Sequence, residues 1–113
     1  MTTFKKWEIV LVPFPFTNQK TSKKRPAIVI SPNNYNKGSD IIIGFVTSKI
    51  DVVDDPMDYM IKNWREANLV KPSKTKMKFA TIEKRIVVKK LGKLSDVDKK
   101  LLSDKLVGFF ADR

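Results

Sequence analysis

Residues 7–31 read WEIVLVPFPF, then TNQKTSKK, then RPAIVIS. Two apolar, β-branched runs flank a polar connection rich in lysine, the pattern of two strands joined by a loop. The first strand is expected over 8–12. Pro13 and Pro15 bring no ladder donor, so pairing should end or bulge there. Residues 17–24 make the loop and 26–31 the second strand, which Pro32-Asn33-Asn34 closes as a turn. Arg25 stands where that second strand begins. Pro26 fixes its own φ and biases Arg25 toward an extended backbone. A guanidinium there suits two-pronged capture of a phosphate, so this stretch points toward nucleic acid.

Working outward, Asn36-Lys37-Gly38-Ser39 reads as a turn and DIIIGFVT (40–47) as a third, central strand. A fourth is expected over 57–62. Asn63 is placed to cap a short helix, WREANL, that Pro72 stops. Residues 75–82 alternate lysine with Met77 and Phe79, as a half-buried strand does. KRIVVKKLG (84–92) fits a strand or a short helix equally. Ser95-Asp96-Val97-Asp98 carries the start signal of a helix. Val97, Leu101, Leu102, Leu106, Phe109 and Phe110 follow at three- and four-residue spacing, an amphipathic face to pack on the sheet. Several short strands followed by one terminal helix predict α+β, with a small curved sheet or barrel.

The chain has 113 residues, which suits one domain over 1–113. Lys and Arg outnumber Asp and Glu by 23 to 12, a formal charge of +11 that favours polyanions, whether nucleic acid or an acidic protein. With no cysteine and no histidine, disulfides, thiolate metal sites and the commonest general base are excluded. No cofactor is expected. No apolar run reaches the roughly 18 residues of a membrane span, and MTTFKKWEIV is too short and mixed for a secretory signal. The cytoplasm is the expected location.

Residues 20–25 hold four cations and no acid. If the second and third strands are antiparallel, Thr47 and Ser48 approach Arg25, and a guanidinium with two hydroxyls makes a phosphodiester site. The plainer reading is a loop cation beside a polar strand end. Among the aromatics, Trp7 and Phe14 are assigned to the core. Phe16, at the edge of the polar loop, is divided between core and base stacking. Asp51, Asp54, Asp55 and Asp58 lack the glycine and spaced glutamate of a calcium loop. They read as a solvated acidic loop or as partners for nearby lysines.

These residues together carry a resemblance. EIVLVPFPFT, KKRPAIVIS, FVTSK, the W-x-x-A-x-L-x-K-P-S run of 64–73 and TIEKRIVVKKLGKLS (81–95) follow in order as they do in the MazF/PemK toxins of bacterial toxin–antitoxin pairs. The resemblance implies an SH3-like barrel with a C-terminal helix, a homodimer, and a metal-independent endoribonuclease acting on single-stranded RNA. It also implies an acidic antitoxin that silences the toxin. Arg25 matches the family's catalytic arginine and Thr47 its catalytic threonine. Phe16, Thr17, Lys24 and Ser48 complete the expected site as substrate-binding residues. The proton acceptor stays unassigned among Glu8, Asp51 and water. The chain departs from many members at Trp7-Glu8, where they have Gly-Asp, and at Ala80, where some have arginine. Related toxins of this fold poison gyrase instead, and a non-catalytic RNA-binding barrel is the other alternative.

Overall fold

The computed structural model describes residues 3–14, 23–51 and 56–112. Six strands form one antiparallel sheet: β1 (Glu8–Phe14), β2 (Lys23–Val29), β3 (Asp40–Thr47), β4 (Tyr59–Met60), β5 (Lys74–Glu83) and β6 (Lys89–Lys93). Their order across the sheet is β4-β5-β3-β2-β1-β6, and a single helix α1 (Asp96–Ala111) follows. The sheet curls into a half-barrel, with bulges between β1 and β6 and between β3 and β5 adding to the bend. No helix among the described residues is long and apolar enough to cross a membrane.

The third strand falls where its sequence pattern put it. The first two differ in extent: β1 runs through Pro13 to Phe14, and β2 starts at Lys23 rather than 26 and ends at Val29. Both prolines are tolerated for the same reason. The Leu11 carbonyl accepts from the Val88 N–H at 2.8 Å, so Leu11 faces β6, and two residues on so does the Pro13 nitrogen. Pairing with β6 ends at Leu11↔Lys89, so the missing donor has no partner to disappoint. Pro26 lies opposite Leu11 and turns its nitrogen toward β3, one residue before that ladder opens at Ala27↔Phe45.

Alternation along the strands gives each face its own core. One face buries Val10, Val12, Ala27, Val29, Ile41 and Ile43, closed at one end by Phe4. The other buries Ile9, Ile28 and Val46 beneath Leu102 and Leu106 of α1. The helix contributes less apolar surface than its sequence pattern indicated. Val97 is exposed, and Phe109 and Phe110 are 38% and 65% exposed, touching Phe79 at the rim rather than entering the core.

Two expected elements shrink. The fourth strand keeps only Tyr59–Met60. WREANL makes a single turn instead of a helix. The Ala67 N–H reaches the Asn63 carbonyl, and the turn then closes with Asn68 N–H to Arg65 and Leu69 N–H to Trp64, Asn68 standing at φ 66. That is the bond pair of a Schellman ending, and so short a segment cannot propagate a helix on its own. The Asn63 side chain does not cap the turn but donates to Ser95 Oγ at 2.7 Å. Gly92 lets this turn dock on β6: a Cβ there would lie 2.5 Å from the Ala67 carbonyl oxygen. The open reading of 84–92 resolves into a 3₁₀ turn, Lys84–Ile86, followed by β6.

The helix start matches the S-x-x-D signal, with Ser95 Oγ accepting from the Asp98 N–H at 3.2 Å. The Asp98 carboxylate is fully buried and works away from its own helix. It accepts from the Lys62 and Asn63 N–H groups, each at 2.9 Å, and from the Tyr59 hydroxyl. Burial first, then the bond to Asp98 and its charge, pushes the Tyr59 phenol well above its ordinary value. The neutral phenol is thus favoured by folding, and its contribution is present below about pH 10 and lost as pH rises beyond the unfolded value.

Tyr59→Phe should lower the unfolding free energy by about 1.5–3 kcal/mol at neutral pH, measured by urea titration. The gap between wild type and variant should narrow above about pH 10. A variant as stable as wild type would show that the Asp98 network holds without the phenol.

Candidate nucleic-acid interface at the β2–β3 mouth

The β2–β3 ladder ends at Ala27↔Phe45. Two residues further on each strand, and on the same face, stand Arg25 and Thr47. The antiparallel pairing expected from the sequence therefore brings these two together at one mouth. Arg25 is exposed and lies opposite Val12 on β1. Its guanidinium sits over the Phe14 ring, 5.6 Å from the centroid, with no ion-pair partner among the described residues. Thr47 Oγ1 accepts from the Lys49 N–H at 3.1 Å. That bond orients the hydroxyl and leaves its proton to donate outward.

Phe14 is 42% exposed, not core as the sequence reading assigned it. It meets Phe45 edge-on at 6.2 Å, and together with Arg25 the two rings line a small cleft floored by Val12, Ala27 and Ile43. The reason is position: Phe14 continues the alternation of Val10 and Val12 but lies at the open end of β1, where no further layer covers it. Trp7, also assigned to the core, is half-buried, with the Lys6 ammonium 4.8 Å from its ring.

The remaining candidates separate. Phe16 and Thr17 lie outside the described residues, as do Asp54 and Asp55. Lys24 is exposed and opposite Pro13; strand alternation puts it on the other face from Arg25. Ser48 is exposed just past the end of β3. Glu8 is removed from the mouth. It is four residues before Val12, roughly 13 Å along the strand, and is engaged by the Lys5 N–H at 2.7 Å and the Lys90 ammonium at 3.4 Å. Asp51 stays exposed in the turn after Thr47.

A charged pair that the sequence did not single out supports this end of the sheet. Lys74 occupies the rung between Met60 and Thr47. Its ammonium is 3.1 Å from Asp58 Oδ2, an ion pair without hydrogen-bond alignment, and both side chains are only 6% exposed. The other Asp58 oxygen accepts from the Met77 N–H at 3.4 Å, where the β5 bulge has pulled that donor off its ladder. Asp58 therefore proves to be a lysine partner rather than a solvated loop acid. The second of the two sequence readings of Asp58 holds, and the tertiary pairing of β4 with β5 decides that its lysine is Lys74 and that the pair is buried.

Fold and site together define a small curled sheet backed by one helix, with a cation and an oriented hydroxyl at a strand mouth. Residues 5–110 match the sequence profile of the family described as PemK-like, MazF-like toxin of type II toxin–antitoxin system, and the chain belongs to that family. No curated protein sequence matches it. Among solved structures, an endoribonuclease in complex with its cognate antitoxin from a mycobacterial species is similar, with a TM-score of 0.74 at 12% identity over 98% of this chain and 96% of that one. MazF from Deinococcus radiodurans aligns with a TM-score of 0.73 at 18% identity, covering 98% and 99% of the two chains. The MazE–MazF complex of the same organism gives 0.75 at 19% identity, covering 97% and 98%. At these identities the likeness speaks for the fold.

Asp58→Ala should cost about 3–5 kcal/mol, because it removes the carboxylate that faces a buried ammonium. Asp58→Leu combined with Lys74→Met should recover most of that loss. Urea midpoints of the three proteins decide it, and an Asp58→Ala protein as stable as wild type would show that Lys74 does not depend on this carboxylate.

Proposed function

We propose that this toxin is an endoribonuclease that cleaves single-stranded RNA at the β2–β3 mouth and is silenced by an acidic antitoxin. The observation that carries the reading is Arg25. It is an exposed guanidinium without an ion-pair partner among the described residues, set beside an exposed aromatic ring and on the face that carries the Thr47 hydroxyl. The mycobacterial and Deinococcus relatives, an endoribonuclease and MazF proteins solved with and without antitoxin, support the same activity and partner.

The reaction uses the RNA's own 2′-hydroxyl. Its oxygen attacks the adjacent phosphorus as its proton leaves. The P–O5′ bond breaks and O5′ takes up a proton, giving a 2′,3′-cyclic phosphate and a 5′-hydroxyl end. Arg25 neutralises the charge that grows on the non-bridging oxygens. The guanidinium stays charged, with a pKa above about 12, so it acts on the phosphate and not as the base. Thr47 donates to the same phosphate and holds it for in-line attack. Phe14 offers a ring face for a neighbouring base, a role divided with core packing for Phe16 in the sequence; Ser48 contacts the RNA beside Thr47, Thr17 is a substrate contact on the family resemblance alone, and Lys24, on the other face of β2, adds positive charge without joining the mouth. The protein acts as a single-domain chain in the cytoplasm, as a homodimer, with the exposed Phe109 and Phe110 cluster supplying apolar surface for a second copy.

Arg25→Ala should slow cleavage by about 10²-fold or more while leaving the melting temperature unchanged. Arg25→Lys should recover little, since a point charge lacks the fork. Thr47→Val should be slower than Ser48→Ala. The assay uses a defined single-stranded RNA and its 2′-deoxy analogue. Cleavage of the analogue, or binding of RNA without any cleavage, would overturn the mechanism.

Cleavage should also persist in EDTA, because the chain has no histidine or cysteine and its acidic cluster, Asp51, Asp54, Asp55 and Asp58, lacks a recognisable ligand pattern. Loss on chelation with recovery in magnesium would overturn this and bring Asp51, Asp54 and Asp55 forward as ligands.

A further inference from the structure

A second concavity opens away from the β2–β3 mouth and shares no lining residue with it. It encloses about 580 Å³, the size range of small-ligand sites. Its floor is apolar: Phe4, only 4% exposed, with Val87 and the half-exposed Val88. Its walls carry five cations against one carboxylate, Glu83, which Arg85 already engages.

The cations fall into two groups. Three are held by their own neighbours: Arg85 by Glu83, Lys84 by the Asn36 carbonyl at 2.8 Å, and Lys90 by Glu8 and the Phe4 ring, 5.5 Å from its centroid. Lys37 and Lys89 are exposed, come from different elements, and have no ion-pair partner among the described residues. Lysine on an edge strand such as β6 commonly serves to prevent edge-to-edge pairing. That role accounts for Lys89 and Lys90 but not for Lys37, which comes from the turn before β3, nor for the half-exposed Val88 on the floor.

Chemistry selects the occupant. Single-stranded RNA binds by stacking bases on open aromatic faces. Phe4, the one ring lining this cleft among the described residues, is only 4% exposed, whereas Phe14 at the β2–β3 mouth is 42% exposed. An aliphatic floor inside a cationic rim instead fits apolar side chains flanked by carboxylates.

We propose that this cleft binds an acidic antitoxin segment, with aliphatic side chains on Phe4, Val87 and Val88 and carboxylates on Lys37 and Lys89. It is a second anchor outside the catalytic mouth. It rests on the toxin reading only for the source of the segment. An antitoxin held here gains effective concentration at the mouth, so two modest contacts combine into tight silencing.

The test uses a short fluorescein-labelled peptide in which a Leu-Leu pair is flanked on both sides by glutamates, with a Ser-Ser peptide as control. Fluorescence anisotropy should show the leucine peptide binding wild type and the serine peptide binding at least about tenfold more weakly. Lys37→Glu with Lys89→Glu should weaken the leucine peptide by a similar factor. Lys37→Gln with Lys89→Gln provides a milder pair should the reversals disturb folding. Val88→Asn should weaken the leucine peptide and not the serine one. RNA cleavage by all these variants should stay at the wild-type rate. No peptide binding, or binding indifferent to these changes, would overturn the proposal. A parallel fall in RNA affinity would make the cleft an RNA subsite, and loss of self-association in sedimentation would make it a contact between copies; either result also overturns it. Wild-type cleavage, measured beside these, reports separately on the ribonuclease reading.

Discussion

The fully buried Asp98 carboxylate is the constraint on which the arrangement depends. It belongs to the first turn of α1, yet satisfies two backbone donors of the 62–63 segment and the Tyr59 hydroxyl of β4. A buried carboxylate is tolerable only when its lone pairs are met, and three elements must be in place to meet them. With those bonds made, Leu102 and Leu106 are seated on the sheet, and the 63–69 turn is set against Gly92 of β6. The helix has an apolar face of modest extent, so a polar contact fixes its position where hydrophobic burial alone leaves more freedom.

The same logic recurs at the edge of the sheet. The β5 bulge displaces the Met77 N–H, and the Asp58 carboxylate reaches it while pairing with Lys74. A defect in the ladder is thus absorbed by a buried charge pair on the rung beside Thr47. The cost of desolvating that pair is spent at the end of the sheet where Arg25 and Thr47 must be held in register.

Curling gives the two faces different tasks. The helix-covered face is core packing, bordered by the exposed Phe109 and Phe110. The opposite face passes from the Phe4 end through a β-branched core to the Arg25 mouth, and its cations lie at both ends. A surplus of +11 is therefore not spread as a uniform field. Arg25 leans on an aromatic ring, where a guanidinium keeps its fork free, while lysines ring an aliphatic hollow. The partition of rings and lysines separates a surface suited to bases and phosphates from one suited to an acidic polypeptide.

Local chemistry made much of this readable beforehand. DIIIGFVT declares a strand, and S-x-x-D declares a helix start, because periodicity and capping act between near neighbours. Arg25 beside Pro26 identified the candidate site, because the imposed backbone and the guanidinium's geometry are both properties of the residue itself. What the sequence could not declare is which side of a strand lies open. Pro13 was read as a strand end, but the missing donor faces a side with no partner. Phe14, Phe109 and Phe110 were read as core, yet hydrophobicity is indifferent to whether a covering layer exists. Asp58 stayed open between a solvated loop and a lysine partner, and Asp98 showed only its helix-start signal, because their partners lie far along the chain. The sequence by itself determined the first three strands and the fifth, the terminal helix and the residue types at the mouth. The tertiary structure alone decided which charges are buried, which rings stay bare, and that Arg25 and Thr47 share a face, because burial and pairing depend on what long-range folding brings alongside.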